Sequence, residues 1–274
     1  MPVEPQRVVV LHQSIAEVMV VLGVEPLAIG TDLGEAYPYL EQRLPEDIEN
    51  VGEPPNLEAL LALEPDLIIG FDNLFEAQEN YAELSQIAPT VGIRHGATSA
   101  EWKRTGREVA EALGKTEEFE PQLTAYEARA TEIGRRLGVP DSAPTAAIML
   151  TWDGTAGMRF DLPRIFSGSV LYEDVGVPLP EGLRETAAAG EWELIISRER
   201  FDQGDGDKLF LYSQSSNPEQ LIEEIREDPL FQILKAVESG NVYTVESYWF
   251  NGGLVAANLI LDDLEQLLLE GKDA

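Results

Sequence analysis

The sequence predicts an α/β protein with two parallel-sheet lobes, one long helix joining them and a ligand cleft between the lobes. Three observations carry this. Short apolar runs alternate with amphipathic helical stretches in each half, the pattern of a parallel sheet covered on both faces. At 274 residues the chain exceeds the usual ~100–200 residues per domain. Phe119, Leu123, Tyr126, Ala130, Ile133 and Leu137 are spaced 4, 3, 4, 3 and 4 apart, a single stripe of one helix about 20 residues and roughly 30 Å long. The predicted divisions are an N-terminal lobe at 1–116, a connecting helix at 117–138 and a C-terminal lobe at 139–274. The same stripe would also serve as a crossover helix within one continuous sheet.

Along the first half, RVVVL at Arg7–Leu11 reads as a strand. Ser14, with Glu17 three residues on, reads as a capping box, and Ile15, Val18, Met19 and Leu22 share the face of the helix that follows. Leu27–Gly30 is a strand, and Asn56 caps a short LEALLAL helix that Pro65 stops. DLIIG at Asp66–Gly70 is a buried strand, and Thr90–Ile93 follows a helix around Glu76–Ile87. In the second half Ala146–Leu150, KLFLY at Lys208–Tyr212 and Asn241–Val245 are strands. Helices are expected at Pro163–Val175, from Asn217-Pro218 to about Val237, and from Gly252 to Leu269.

The net charge is −31, spread along the chain. Such a field repels phosphate backbones and anionic lipid, which excludes nucleic acid as a partner. It also suits a highly soluble surface, and a saline medium would screen it. Cysteine is absent and only His12 and His95 are present, so disulfides, thiolate sites and a three-histidine metal site are excluded. The first residues contain no basic segment followed by an apolar one. Two readings follow, a cytosolic protein or an exported one whose signal was removed and a start Met added. There is no G-x-S-x-G elbow, Walker A loop or G-x-G-x-x-G turn to support an enzyme, and Gly154-x-x-Gly157 is too sparse to cradle a phosphate. Catalytic residues and an intrinsic cofactor are therefore not expected.

Each half offers a glutamate in the first turn of a short helix, eight to ten residues before a core strand. These are Glu58 after Asn56 and Glu199 after Ser197. The helix dipole alone favours a carboxylate there. As a pair they would also suit docking onto a two-fold partner with paired basic residues.

Three segments, RVVVLHQSIAEVMVVLGVEPLAIG, VGEPPNLEALLALEPDLIIG and ESYWFNGGLVAANLILDDLEQLL, resemble the class III periplasmic binding proteins of ABC importers, the siderophore, ferric dicitrate and cobalamin group. The resemblance runs from about Arg7 to Leu269. Its specific part is Gly52-x-x-Pro55-Asn56-Leu57-Glu58 followed by Leu63-x-Pro65-Asp66-Leu67-Ile68; Asp262-Asp263-Leu264 after an aromatic-Gly-Gly stretch is weaker. It implies two lobes on one long helix, and Glu58 and Glu199 meeting arginines of the membrane permease subunits. The motif around Glu199 is looser, and Glu191 or Glu193 is an alternative counterpart. It further implies an extracytoplasmic monomer, a lipoprotein in its full-length form, delivering a ferric siderophore or ferric citrate. Iron(III) would enter only within that chelate. Cobalamin or haem on the same fold, and a cytosolic α/β enzyme or scaffold, are the alternatives.

In such sheets ligands bind beyond the carboxyl ends of the strands. Those ends offer His12, Gln13 and Ser14; Thr31 and Asp32; Phe71, Asp72 and Asn73; and Arg94 and His95. The second half adds Thr151 and Trp152, Arg159 and Phe160, Tyr212, and Tyr248 with Trp249. The predicted ligand contacts are Phe71, Arg94, Trp152, Arg159, Tyr212, Tyr248 and Trp249, because aromatic walls with guanidinium groups suit bulky, anionic chelates. Tyr248 and Trp249, beside Asn251-Gly252-Gly253, are read as exposed rings with no packing stripe to join.

Overall fold

The computed structural model describes residues 5–31, 38–95, 99–153, 157–250 and 252–271. Asp32, Gly154 and Asn251, named above, lie outside them. Two five-stranded sheets organise the chain. The first contains β1 (Val8–Val10), β2 (Ala28–Ile29), β3 (Glu49–Asn50), β4 (Leu67–Phe71) and β5 (Thr90–Ile93), in the order β3-β2-β1-β4-β5. All its pairings are parallel. Central β1 and β4 are continuous apolar runs because helices cover both faces. The second contains β6 (Ala146–Thr151), β7 (Met158–Asp161), β8 (Glu193–Ile195), β9 (Lys208–Ser213) and β10 (Val242–Thr244), in the order β10-β9-β6-β7-β8.

In the second sheet β7 runs antiparallel to both β6 and β8, so this sheet is mixed. The cause is the short connection from Thr151 to Met158, closed by Trp152 N–H donating to the Gly157 carbonyl at 2.8 Å. A parallel return needs a crossover of about a dozen residues or more. Within β7 the period-2 alternation sorts the side chains. Met158 and Phe160 enter the apolar core with Met149, Leu183 and Phe201, which leaves Arg159 and Asp161 on the opposite face.

One compact unit gathers β1–β5, the chain through Ala125 apart from Ser99–Ala100, and the returning segment Gly252–Ala256; the other gathers β6–β10 and the rest of the chain from Tyr126. The helix Thr116–Leu137 therefore gives its first residues to one unit and the rest to the other. Its stripe is buried from Phe119 to Ile133.

Several helix boundaries differ from the sequence reading. The cap of helix Gln13–Val21 is His12, which accepts from Ser14 N–H, rather than Ser14. The helix expected at Glu76–Ile87 is two, Asp72–Gln78 and Tyr81–Ile87, divided at Glu79 with φ 53°. The one expected from Asn217 to Val237 is three, Pro218–Arg226, Pro229–Gln232 and Lys235–Glu238. Asp228 caps the second by accepting from Leu230 N–H, with Pro229 at its first position. Among the described residues no helix is long and apolar enough to cross a membrane.

Candidate functional site

In the first unit the carboxyl ends of the neighbouring strands β1, β4 and β5 bring three rings together. Phe71 ends β4 and is buried. The His12 ring meets it edge-on at 4.9 Å, and the His95 ring does the same at 5.2 Å. Asp72 fixes the backbone there, since its Oδ1 accepts from the N–H of His95 and of Asn73, both at 2.8 Å. Gln13 and Thr31 are bonded to each other and buried. Arg94 is an exposed residue ion-paired to Glu108 at 2.9 Å, a carboxylate that Arg104 also holds.

In the second unit the centre is Arg159. It lies within β7 rather than at a strand's carboxyl end and is only 8% exposed. Its Nε donates to Asp161 Oδ1 at 2.8 Å and its Nη1 donates to Glu193. Asp161 is fully buried and also accepts from Tyr212 OH at 2.7 Å and Ser167 Oγ at 2.9 Å. Burial pushes the Asp161 carboxyl up from its ordinary range, and Arg159 with the two hydroxyls pulls against that. Tyr212 makes a further side-chain hydrogen bond to Arg159, so two carboxylates and a hydroxyl hold the guanidinium. The guanidinium carbon also sits 5.7 Å from the Trp192 ring centre and 5.9 Å from that of Phe250. A guanidinium has five N–H donors, so one fixed by these partners and flanked by rings can still pair with an anionic oxygen.

Two expected ligand contacts are corrected. Trp249 is fully buried, stacks on Phe210 at 4.7 Å and donates its Nε1–H to Asp263 Oδ2 at 2.7 Å. The same oxygen accepts from Tyr248 OH at 2.8 Å, and Tyr248 is partly buried. The aromatic pair and the Asp262-Asp263 motif are therefore two ends of one structural bond, while Asp262 itself pairs with Arg129. Tyr212 is also interior, and its hydroxyl serves Asp161 rather than a ligand. Trp152 is half-buried.

The residues missed by sequence reasoning are Asp161, Ser167, Trp192 and Phe250. The signal for Asp161 was present, because Arg159 and Asp161 two apart in a strand share a face. Glu193, weighed above as a docking acid, is instead committed to Arg159. Glu58 and Glu199 are both exposed. Among the described residues no group of three or more histidines and acids is set to hold a metal ion.

A profile of the periplasmic binding protein family matches residues 8–248. The chain belongs to that family. It is 29% identical to the probable siderophore-binding lipoprotein YfiY of Bacillus subtilis (strain 168), covering 99% of this chain and 85% of that protein. It is also 29% identical to the achromobactin-binding periplasmic protein of Dickeya dadantii (strain 3937), over 96% of this chain and 86% of that protein. Among solved structures, Staphylococcus aureus SirA complexed with staphyloferrin B superposes with a TM-score of 0.79 at 26% identity, covering 97% of this chain and 93% of that one.

Proposed function

We propose that this family member is the extracytoplasmic substrate-binding protein of an ABC importer and that its cargo is an anionic ferric chelate, a siderophore or ferric citrate complex. The carrying observation is Arg159, a guanidinium held by Asp161 and Glu193 beside two rings. In a chain of net charge −31, an anion is retained only by a local cation, and a fixed guanidinium offers a directed donor edge. The names of the relatives, siderophore-binding and achromobactin-binding, and SirA's staphyloferrin B, support an iron-chelate cargo over other anions. Trp192, Phe250 and Trp152 supply ring surface in the second unit; Phe71 with His12 and His95 is a separate contact set in the first. Glu58 and Glu199 are the acids offered to the permease subunits, the helix Thr116–Leu137 is the connecting helix, and the full-length protein carries a lipid anchor. The work is binding, with no catalytic step.

Tryptophan-fluorescence titration with ferric citrate, hydroxamate and catecholate chelates, haem and cobalamin tests the reading. At least one ferric chelate binds below ~10 μM, and Arg159→Lys, which keeps the charge but loses the fork, weakens it about tenfold or more. Absence of ferric-chelate binding, or an unchanged affinity in the lysine variant, overturns the assignment.

A further inference from the structure

Large apolar side chains that stay exposed are few in this acidic chain, and their positions are not scattered. Among the described residues six are well exposed, Leu61, Tyr81, Trp192, Ile195, Leu230 and Ile233. Trp192 and Ile195 lie at or beside β8. The other four lie on the helix of Glu58 or on segments at or beside those packed against the helices of Glu58 and Glu199.

In the first unit, Leu61 sits three residues after Glu58 on helix Leu57–Leu63, so the two are surface neighbours. Leu61 is 59% exposed, and Tyr81 opens the helix Tyr81–Ile87 that packs against this one. In the second unit, Glu199 lies in the first turn of Arg198–Gly204, against which the segment Pro229–Gln232 packs. Arg198 pairs with Asp228 at 3.3 Å, which ties the two pieces together. That segment carries Leu230, and Ile233 follows it at 68% exposed. The segment also walls a cavity of about 210 Å³ lined by Arg226, Phe231, Gln232, Val237, Gly240 and Val242.

We infer that each unit presents a composite docking patch, a glutamate beside two exposed apolar side chains (Glu58 with Leu61 and Tyr81, Glu199 with Leu230 and Ile233), and that its occupant is a membrane-transporter subunit whose extracytoplasmic surface pairs a basic residue with apolar ones. This rests on the reading of Glu58 and Glu199 as docking acids and adds a part that salt does not screen. Charge complementarity selects the partner, since a chain of net charge −31 attracts a basic surface. The glutamate contribution weakens as the screening length falls from ~10 Å at about 0.1 M salt to ~3 Å at about 1 M. The apolar contribution persists, because salting strengthens burial.

The test uses the full chain with right-side-out membrane vesicles of the source organism, co-sedimented at about 0.1 M and about 1 M NaCl. A photo-crosslinking side chain replaces Leu61 or Ile233 in parallel samples, and the captured protein is sequenced. The expected result is capture of integral permease subunits at both positions. Leu61→Ser with Ile233→Ser is expected to weaken association about tenfold or more at the higher salt and less at the lower. Both positions are exposed, so these variants retain the native melting transition, and Leu61→Gln with Ile233→Gln repeats the measurement. Charge reversal, Glu58→Arg with Glu199→Arg, separates the two claims. If reversal leaves association unchanged, the docking-acid reading fails and this inference falls with it. If reversal abolishes association while the serine and glutamine pairs behave as native at both salts, only the apolar part is overturned. Capture of nothing but a second copy of this chain overturns it as well.

Discussion

Of the 50 acids in the chain, two are buried among the described residues, one in each unit, and they are held in opposite ways. Glu17 in the first unit meets no cation among the described residues. It accepts from Tyr39 OH at 2.7 Å and from the backbone N–H groups of Gly253, Val255 and Ala256, at the start of the helix Leu254–Leu264. Gly252 belongs to the same arrangement, since a Cβ there would stand 2.3 Å from the Ala256 Cβ and 2.9 Å from Glu17 Oε1. Asp161 in the second unit takes an arginine and two hydroxyls instead. The carboxylate answered by backbone fixes a chain segment and leaves nothing over for a ligand. The carboxylate answered by a guanidinium fixes a side chain of five donors, more than one acid can occupy. A buried acid is therefore a clue to function through what its partner retains.

The largest effect that would break this comparison comes from Asp161→Ala. It leaves Arg159 one carboxylate, that of Glu193, and removing one member of a buried pair costs about 3–5 kcal/mol. Chemical denaturation measures it, and a loss under about 1 kcal/mol would mean that Asp161 does not hold the arginine's charge.

Glu17→Ala follows, with a loss of about 2–3 kcal/mol, because each buried donor left unsatisfied costs ~1–3 kcal/mol. Glu17→Gln sharpens the point through pH. Burial raises the Glu17 carboxyl above its ordinary 4.5, the Tyr39 hydroxyl and the backbone N–H groups opposing it only in part. The fold thus favours the protonated form. That contribution is complete below the ordinary value and is lost as pH rises through the raised one. The melting temperature of the native protein minus that of the glutamine variant should fall between pH 4.5 and neutrality; a difference that rises or stays flat would contradict a raised Glu17.

The smallest change is Trp249→Phe, which keeps the stack on Phe210 and removes the Nε1 donor to Asp263. A loss of about 1 kcal/mol in thermal melts is expected. No loss would indicate that Tyr248 alone satisfies Asp263.

How much of this was legible depended on whether a signal was local. Strands β1, β4, β6 and β9 were readable because burial on both faces makes them unbroken apolar runs. The Phe119–Ile133 stripe was readable because helical period and burial agree. β7 was not, because MRFD places two charges in four residues, and their mutual satisfaction with Tyr212 and Ser167 depends on other elements. Trp249 was misjudged for a related reason. Its bond to Asp263 spans 14 residues and its stack partner Phe210 lies on β9. Arg159 was reached by residue type rather than by place, while Trp192 and Phe250, which flank it, have no sequence pattern that ties them to it.

The bond from Ala256 N–H to Glu17 spans 239 residues, and this has a consequence for the order of events during synthesis. Glu17 emerges from the ribosome within the first strand–helix unit, yet three of its donors lie near the other end of the chain. At ~5–20 residues per second, the first unit spends many seconds with an unanswered carboxylate in its prospective interior. Completion of the first half therefore waits on the last part to be translated, and a nascent chain halted before Gly252 leaves its first domain unfinished.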